Sequence, residues 1–330
     1  MKIKKLLYNG NINYLELVVG LVMVDIKYTL TSGRLLVELP RKMKFGFDFL
    51  YAMNEFLEIA STSPVKKVCV ACEKDAEYEN LTKAYTYIVL RYLLHLKKTL
   101  WNQELSSMIL PSIHGMHGNQ FAAVADLTEI IQDPNLNYYV FTRDTQVSKP
   151  VEEMSNLLVE KNVTINQKEL KEFLSTTIGE IFSNSINHSN KEAFFFMYDI
   201  IYEKREFYLC INIIDFGKTI IDNVRMFHQD SEMPGGKCIE WAIQSGNTTR
   251  KGSGGYGLPT LINYIKEVDG ELYIFSGGAY YCFDGQMEKI TDAGGYLSGT
   301  SVTFRVKLFN TEKAITYSGD RLGSISLDNI

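Results

Sequence analysis

Cysteine, proline and tryptophan are scarce in this sequence. The 330 residues include 5 cysteines, 7 prolines and 2 tryptophans. An odd, scattered set of cysteines does not form the disulfide framework of a small secreted domain. Cys69 and Cys72 make one C-x-x-C pair, but no second pair follows at zinc spacing, so we interpret them as core thiols.

Long apolar runs and an excess of positive charge are also missing. No stretch approaches the roughly 20 apolar residues that a membrane-spanning helix needs, and no signal-peptide pattern follows the basic start. The net charge of −5 argues against a nucleic-acid-binding protein that relies on bulk positive charge. We therefore expect a cytoplasmic protein with no membrane span and no nucleic-acid partner.

The first third of the chain alternates strand and helix patterns. Strand patterns at Leu35–Pro40 and Val65–Cys72 are followed by helix patterns at Phe45–Ala60 and Leu81–Leu100. This β-α-β-α order predicts a small α/β domain over residues 1–110. The order would also fit a STAS-like domain, although no specific motif supports that assignment.

The rest of the chain predicts a connecting region and a second domain. Residues 111–146 form the connecting region, which contains a strand pattern at Tyr138–Asp144. Residues 147–312 combine helix and strand patterns around a glycine-rich, less regular segment at 219–257. Residues 313–330 are a polar tail.

The segment EIFSNSINHS carries three polar residues at four-residue steps. Glu180, Asn184 and His188 lie on one face if this segment is a helix. An acid and an amide one turn apart suit magnesium chemistry, since the amide oxygen can hold the metal while the acid acts as a base. The same stripe is equally consistent with a solvent-exposed helix face.

Three further segments carry residues typical of a ligand site. In IIDFG, Asp215 ends a strand pattern and could receive an amino group, with Gly217 allowing close approach of the backbone. In TTRKGSGGYGLPTL, a glycine-rich loop runs into a helix and could present N–H groups to an anion beside Arg250. In SGTSVTF, Thr300 precedes the last strand. Each segment alone also fits an ordinary turn or loop.

Taken in order, these segments resemble the GHKL ATPase superfamily, which includes gyrase, the heat-shock chaperone, the mismatch-repair ATPase and histidine kinases. The pattern is E-x-x-x-N, then D-x-G, then G-x-G-L, then G-T, over Val147–Leu308. The resemblance implies an α+β protein. Its C-terminal domain would be a two-layer sandwich, with a mixed sheet and helices on one face, preceded by the small α/β domain.

The resemblance also implies roles for individual residues, with ATP and Mg²⁺ as the bound groups. They are Glu180 as general base, Asn184 as the magnesium ligand, His188 near the phosphates, Asp215 as acceptor of the adenine amino group, Gly217 and Thr219 in the first glycine box, Arg250, Gly254, Gly255, Tyr256, Gly257 and Leu258 around the phosphates, and Thr300 near the adenine.

Two departures from the family pattern narrow the expected activity. Thr219 stands where the first box often has its second glycine, and Pro259 replaces a later glycine of the second box. The second departure favours the anti-sigma-factor-type serine kinases. His95 lacks the flanking pattern of a phosphoacceptor histidine, so histidine autophosphorylation is not expected.

The function implied is Mg-ATP hydrolysis, or transfer of the γ-phosphate to a protein serine or threonine. The alternative is a non-catalytic, ATP-gated switch that a protein partner reads. A third interpretation is an interaction module with a vestigial pocket. Many members of the superfamily dimerise with ATP, so a homodimer is expected by analogy alone.

Overall fold

The computed structural model describes residues 24–31, 33–72, 77–96, 99–103, 138–142, 163–164, 178–179, 181–182, 184–185, 193–203, 205–249 and 254–310. The chain divides into two compact units, Met1–Asp126 and Leu127–Ile330. Together their described parts make the protein a mixed α+β structure, and this level of the fold prediction is confirmed.

The N-terminal unit is built from strands and helices in alternation. Its described elements are β1 Lys27–Leu30, β2 Arg34–Leu39, β3 Lys42–Met43, α1 Phe47–Thr62, β4 Lys67–Cys72, β5 Glu77–Tyr78, α2 Asn80–His95 and β6 Thr99–Gln103. A four-stranded sheet has the order β1-β2-β4-β6, in which β2, β4 and β6 are parallel. The predicted β-α-β-α order is therefore present, with each helix connecting parallel strands.

Helix α2 is shorter than the helix predicted over Leu81–Leu100. It ends at His95, and β6 begins at Thr99. The strand pairs in parallel with β4, with Thr99 opposite Lys67. Pairing with a neighbouring strand thus overrides the helical spacing of apolar residues at the end of this segment.

The C-terminal unit contains the longer strands and three helices within its described residues. Its elements are β7 Tyr138–Thr142, β8 Val163–Thr164, β9 Ala193–Glu203, β10 Glu206–Asp215, α3 Ile220–His228, α4 Gly235–Ala242, α5 Gly257–Glu267, β11 Glu271–Phe283 and β12 Glu288–Asn310. The sheet order is β11-β12-β10-β9-β7, and β8 pairs with the end of β12. The strand predicted at Tyr138–Asp144 is present as β7.

The mixed sheet predicted for this domain is wrong, because every described strand pair of the sheet is antiparallel. Short turns join β9 to β10 and β11 to β12, and such turns connect antiparallel strands. The connection from β10 through α3, α4 and α5 does bring back a strand of the same direction, β11. However, β12 lies between β10 and β11, so no parallel pair forms.

Alternate residues of the sheet form a core with the helices. Along β10 the inward residues are Leu209, Ile211 and Ile213, as the two-residue period of a strand requires. They share one hydrophobic cluster with residues of the helical segments, namely Ile178, Ile181, Phe182, Ile221, Val224, Cys238, Ile239, Leu261, Ile262 and Ile265. This packing fixes the helices against one face of the sheet.

The segment 219–257, predicted to be less regular, contains two helices, so that prediction is wrong for α3 and α4. Helix α3 begins with a capping box in which the Thr219 hydroxyl accepts from the Asp222 N–H and the Asp222 carboxylate accepts from the Thr219 N–H. It ends at Gln229 in the left-handed conformation, with φ 56°. These helices have nine and eight residues, too short to give a clear periodicity among the glycines.

The β11–β12 hairpin folds back on itself near Gly277. The ring centroids of Phe275 and Tyr280 are 5.5 Å apart. A Cβ placed on Gly285, at the hairpin turn, would lie 3.6 Å from the carbonyl oxygen of Gly270, just before β11 begins. We call residues 277–297 the hairpin arm; its turn lies close to Gly270, and the arm packs against α4, where the Gly236 N–H donates to Asp292.

Candidate functional site

A cleft of about 930 Å³, including the part open to solvent, lies between the ends of the central strands and the three helices of the C-terminal unit. Its lining is formed by Ile181, Asn184, Ser185, Asp215, Lys218, Ile220, Asn223, Val224, Trp241, Ala242, Asn247, Thr248, Thr249, Gly254, Gly255, Gly257, Leu258, Pro259, Thr300 and Val302.

Asp215 is the buried acid of the cleft. It is the last residue of β10, opposite Thr300 of β12, and is 3% exposed. Its carboxylate accepts from the backbone N–H of Gly217 at 3.0 Å, from the backbone N–H of Thr300 and from the hydroxyl of Ser185. Burial raises the pKa of Asp215 to about 7, although these three hydrogen bonds favour the charged form and oppose the rise.

Gly299 allows β12 to approach Asp215 closely. A Cβ at position 299 would lie 1.9 Å from the backbone oxygen of Asp215, and the φ angle of 142° is one that other residues rarely adopt. No side chain fits in this space, because the obstacle is backbone. The Gly-Thr dipeptide therefore places Thr300 beside the acid.

A second buried hydroxyl lies behind Thr300. The Ser276 hydroxyl is 2.8 Å from that of Thr300 and donates at 3.2 Å to the Gly299 carbonyl in one of its orientations. It also accepts from the backbone N–H of Ile220 at 2.8 Å. Strand β11 is thus joined both to the cleft and to the first residue of α3.

The glycine-rich loop is held against the preceding helix connection. The Gly246 N–H donates to the Gly255 carbonyl at 3.0 Å. Gly255 has φ 81°, and a Cβ there would lie 2.2 Å from the backbone oxygen of Asn247. Helix α5 begins at Gly257, and its N-cap residue Tyr256 makes no side-chain cap, so its first N–H groups are not used by that side chain.

Most predicted site residues that the structure describes come together in this cleft. The lining includes Asn184, Asp215, Gly254, Gly255, Gly257, Leu258 and Thr300. Gly217, Thr219 and Tyr256 are described but do not line it. The Gly217 N–H donates to the Asp215 carboxylate. Thr219 is the buried N-cap of α3, and the Tyr256 side chain is 61% exposed.

Three predicted site residues, Glu180, His188 and Arg250, lie outside the described residues. Their expected roles therefore stay predictions. The neighbours of Glu180 at 178–179, 181–182 and 184–185 are helical, as the four-residue spacing of the motif predicts.

Several lining residues escaped the sequence interpretation, among them Ser185, Lys218 and Trp241. Ser185 follows Asn184 directly, and its role depends on contact with a strand thirty residues later. Trp241 is partly buried, and its ring lies 5.3 Å from that of Phe227 and 5.0 Å from that of His228. Of these, only Lys218 carried a usable signal, since it falls inside the D-F-G-K-T segment.

Among the described residues, no group of three or more histidine, cysteine or acidic side chains could hold a metal ion. Magnesium does not need such a group, since it keeps several waters and often binds through one or two protein ligands and phosphate oxygens. The half-buried Asn184 amide in the cleft fits that use.

Comparison with known proteins gives no assignment, as the chain matches no family model and has no significant match among curated proteins. No helix within the described residues is long and apolar enough to cross a membrane.

Proposed function

We propose that this protein binds Mg-ATP in the cleft of the C-terminal unit, with Asp215 receiving the adenine. The observation that carries the proposal is the hydrogen bonding of this buried carboxylate. The number of hydrogen-bond donors that the Asp215 carboxylate can still accept supports binding of an adenine nucleotide.

Counted over the described residues, Asp215 has room for one more donor. A carboxylate offers about four lone-pair positions on its two oxygens. Gly217, Thr300 and Ser185 use three of them. On the edge that includes N1, adenine presents one N–H of its amino group, whereas guanine presents two adjacent N–H donors that need two acceptor positions. The remaining capacity therefore favours adenine.

The other lining residues suit the phosphates and the metal. Backbone groups of Gly254, Gly255 and Gly257 line the cleft where α5 begins, and helix N-termini favour anions. Lys218 adds a positive charge at the cleft. The Asn184 oxygen would hold Mg²⁺, and the metal when bound would neutralise phosphate charge.

Turnover of ATP is the first use we propose for the site. Glu180 lies one helical turn before Asn184 in sequence and is the expected general base, for hydrolysis or for transfer to a protein serine or threonine. Replacing it by Ala should abolish ADP formation and leave ATP affinity nearly unchanged. Unaltered ADP formation in that variant would show that Glu180 is not the general base.

A non-catalytic switch is the second candidate, favoured by how the α3–α5 region meets the cleft. The Gly246–Gly255 bond and the Asn247 contact hold Gly255 against residues 246–247, and both Asn247 and Gly255 line the cleft. A ligand that contacts both residues can therefore change how this region is presented to a partner protein. Protection of residues 219–257 from protease by Mg-ATP would support the switch, and unchanged cleavage would count against it.

The decisive binding experiment compares two aspartates that both accept backbone N–H groups. Asp284 accepts from Gln286 and Met287 in the hairpin turn, outside the cleft lining. Asp215→Asn places an amide N–H among groups that are themselves donors, so buried donors are left without an acceptor. Mg-ATP affinity should therefore fall at least about 100-fold. Asp284→Asn should bind like the wild type.

Calorimetric titration with ATP and GTP, with and without Mg²⁺, gives the affinities. In a Trp101→Phe background, Trp241 is the remaining tryptophan and reports on the cleft by fluorescence. Absence of ATP binding by the wild type, or equal affinity for GTP, would contradict the proposal.

A further inference from the structure

We propose that Ser276 is a positioning residue of the nucleotide site, which orients the Thr300 hydroxyl toward the base and joins it to the first residue of α3. The inference rests on the proposed function, because it assigns a task to Thr300 in holding the ligand. Ser276 itself does not line the cleft and acts through Thr300.

The position of Ser276 suits this task. It lies on β11 directly opposite Thr300 of β12 and is fully buried. The register between the strands shifts immediately after it, at Gly277. A polar side chain in such a place needs partners, and Ser276 has three, namely Thr300, Gly299 and Ile220.

The single proton of Ser276 decides what Thr300 can do. One lone pair of Ser276 receives the Ile220 N–H. If the proton goes to the Thr300 oxygen, the Thr300 hydroxyl keeps its own proton for a ligand. If the proton goes to the Gly299 carbonyl, Thr300 must donate to Ser276 and can only accept from a ligand. Because the ring nitrogens of adenine next to its amino group are acceptors, the first arrangement is the one that binds adenine.

The same hydroxyl also holds the start of α3. Ile220 is the first residue of that helix, and Ile220, Asn223 and Val224 line the cleft. The Ser276 hydroxyl therefore contacts both the side chain that would meet the ligand and the N–H that begins α3. By linkage, a change at either end must be felt at the other.

The first test is the affinity of Ser276→Ala for Mg-ATP. Loss of one hydrogen bond should weaken binding about three- to tenfold. Ser301→Ala is the matched control, because Ser301 is the next residue on β12, equally buried, and accepts from Asn212 at 2.8 Å instead. Its affinity should stay within about twofold of the wild type. Ser276→Thr, which keeps the hydroxyl, should restore binding.

A double-mutant cycle separates orientation from simple loss of packing. In a Thr300→Val background, the Ser276→Ala change should have little further effect on affinity, because the hydroxyl that it orients is gone. Additive losses in the cycle would overturn the proposal, as would equal losses in the Ser276→Ala and Ser301→Ala variants.

The second test needs no nucleotide and remains readable if Ser276→Ala does not fold. Amide exchange at Ile220, followed by NMR in the free protein, should be faster in Thr300→Val than in the wild type and unchanged in Ser301→Ala. Equal exchange in Thr300→Val and wild type would overturn the inference. If the wild type binds no ATP, the proposed function fails, while this measurement still decides whether Thr300 and α3 are coupled.

Discussion

Glycines in the two units differ in the space around them. A methyl group added at Gly33 or Gly46 of the N-terminal unit would meet nothing within 4 Å. One added at Gly255 or Gly299 of the C-terminal unit would collide with backbone atoms. Gly33 and Gly46 therefore stand in open space, Gly46 as the N-cap of α1, whereas Gly255 and Gly299 bring chain segments together at the cleft.

The largest expected effect comes from Gly299→Ala. The added carbon would overlap the Asp215 carbonyl, and the φ of 142° adds strain. We expect the free energy of unfolding to fall by more than about 3 kcal/mol, or the C-terminal unit not to fold. Gly33→Ala should change it by less than about 0.5 kcal/mol. Urea denaturation measures the free energy of unfolding of both variants. Equal values would contradict the proposed difference between the glycines of the two units.

Gly255→Ala should have a smaller effect, concentrated on binding. Its φ of 81° and the Asn247 backbone oppose a side chain, but Gly255 lines the cleft, whereas Gly299 lies between two strands of the sheet. We expect a loss of about 2 kcal/mol in the affinity for Mg-ATP, since the loop would no longer sit on Asn247. Calorimetry gives the affinity and thermal unfolding serves as the control. A lower thermal stability with unchanged Mg-ATP affinity would mean that Gly255 serves folding and not binding.

Burial of Asp215 at the cleft should make the free energy of unfolding of the C-terminal unit depend on pH. The pKa of Asp215 is raised from 3.8 to about 7 by burial, so the folded protein binds more protons than the unfolded chain between these values. The contribution of Asp215 to the free energy of unfolding should therefore fall as pH rises from about 4 to 7, by up to about 1.4 kcal/mol per unit. The difference between wild type and Asp215→Asn isolates this contribution from those of other acids.

ATP affinity should change with pH in the opposite direction. The charged carboxylate is the form that accepts the base, so affinity should rise toward pH 7 and level off above it. Titrations between pH 5 and 8 test this. A flat affinity profile would mean that the base does not bind at Asp215.

Site residues could be predicted from the sequence where the motif consists of a few neighbouring residues. Asp215 and Gly257 could be found from short patterns, since Asp215 ends β10 and Gly257 begins α5. Thr300 could be found from the Gly-Thr pair, although it lies inside β12 and not before the last strand as predicted. Ser276 could not be found, because its role depends on β11 lying opposite Thr300, 24 residues away. The antiparallel sheet was missed for a related reason, as insertion of β12 between β10 and β11 is a long-range event that periodicity does not encode.

The fold-back of the hairpin near Gly277 has a consequence for how the protein behaves in a crowded solution. An outer strand exposes N–H and C=O groups that invite a strand of another molecule. The turn of the hairpin arm lies close to the start of this outer strand, since a Cβ on Gly285 would be 3.6 Å from the Gly270 carbonyl oxygen. The arm therefore limits the room that a strand of another molecule would have at this end of β11.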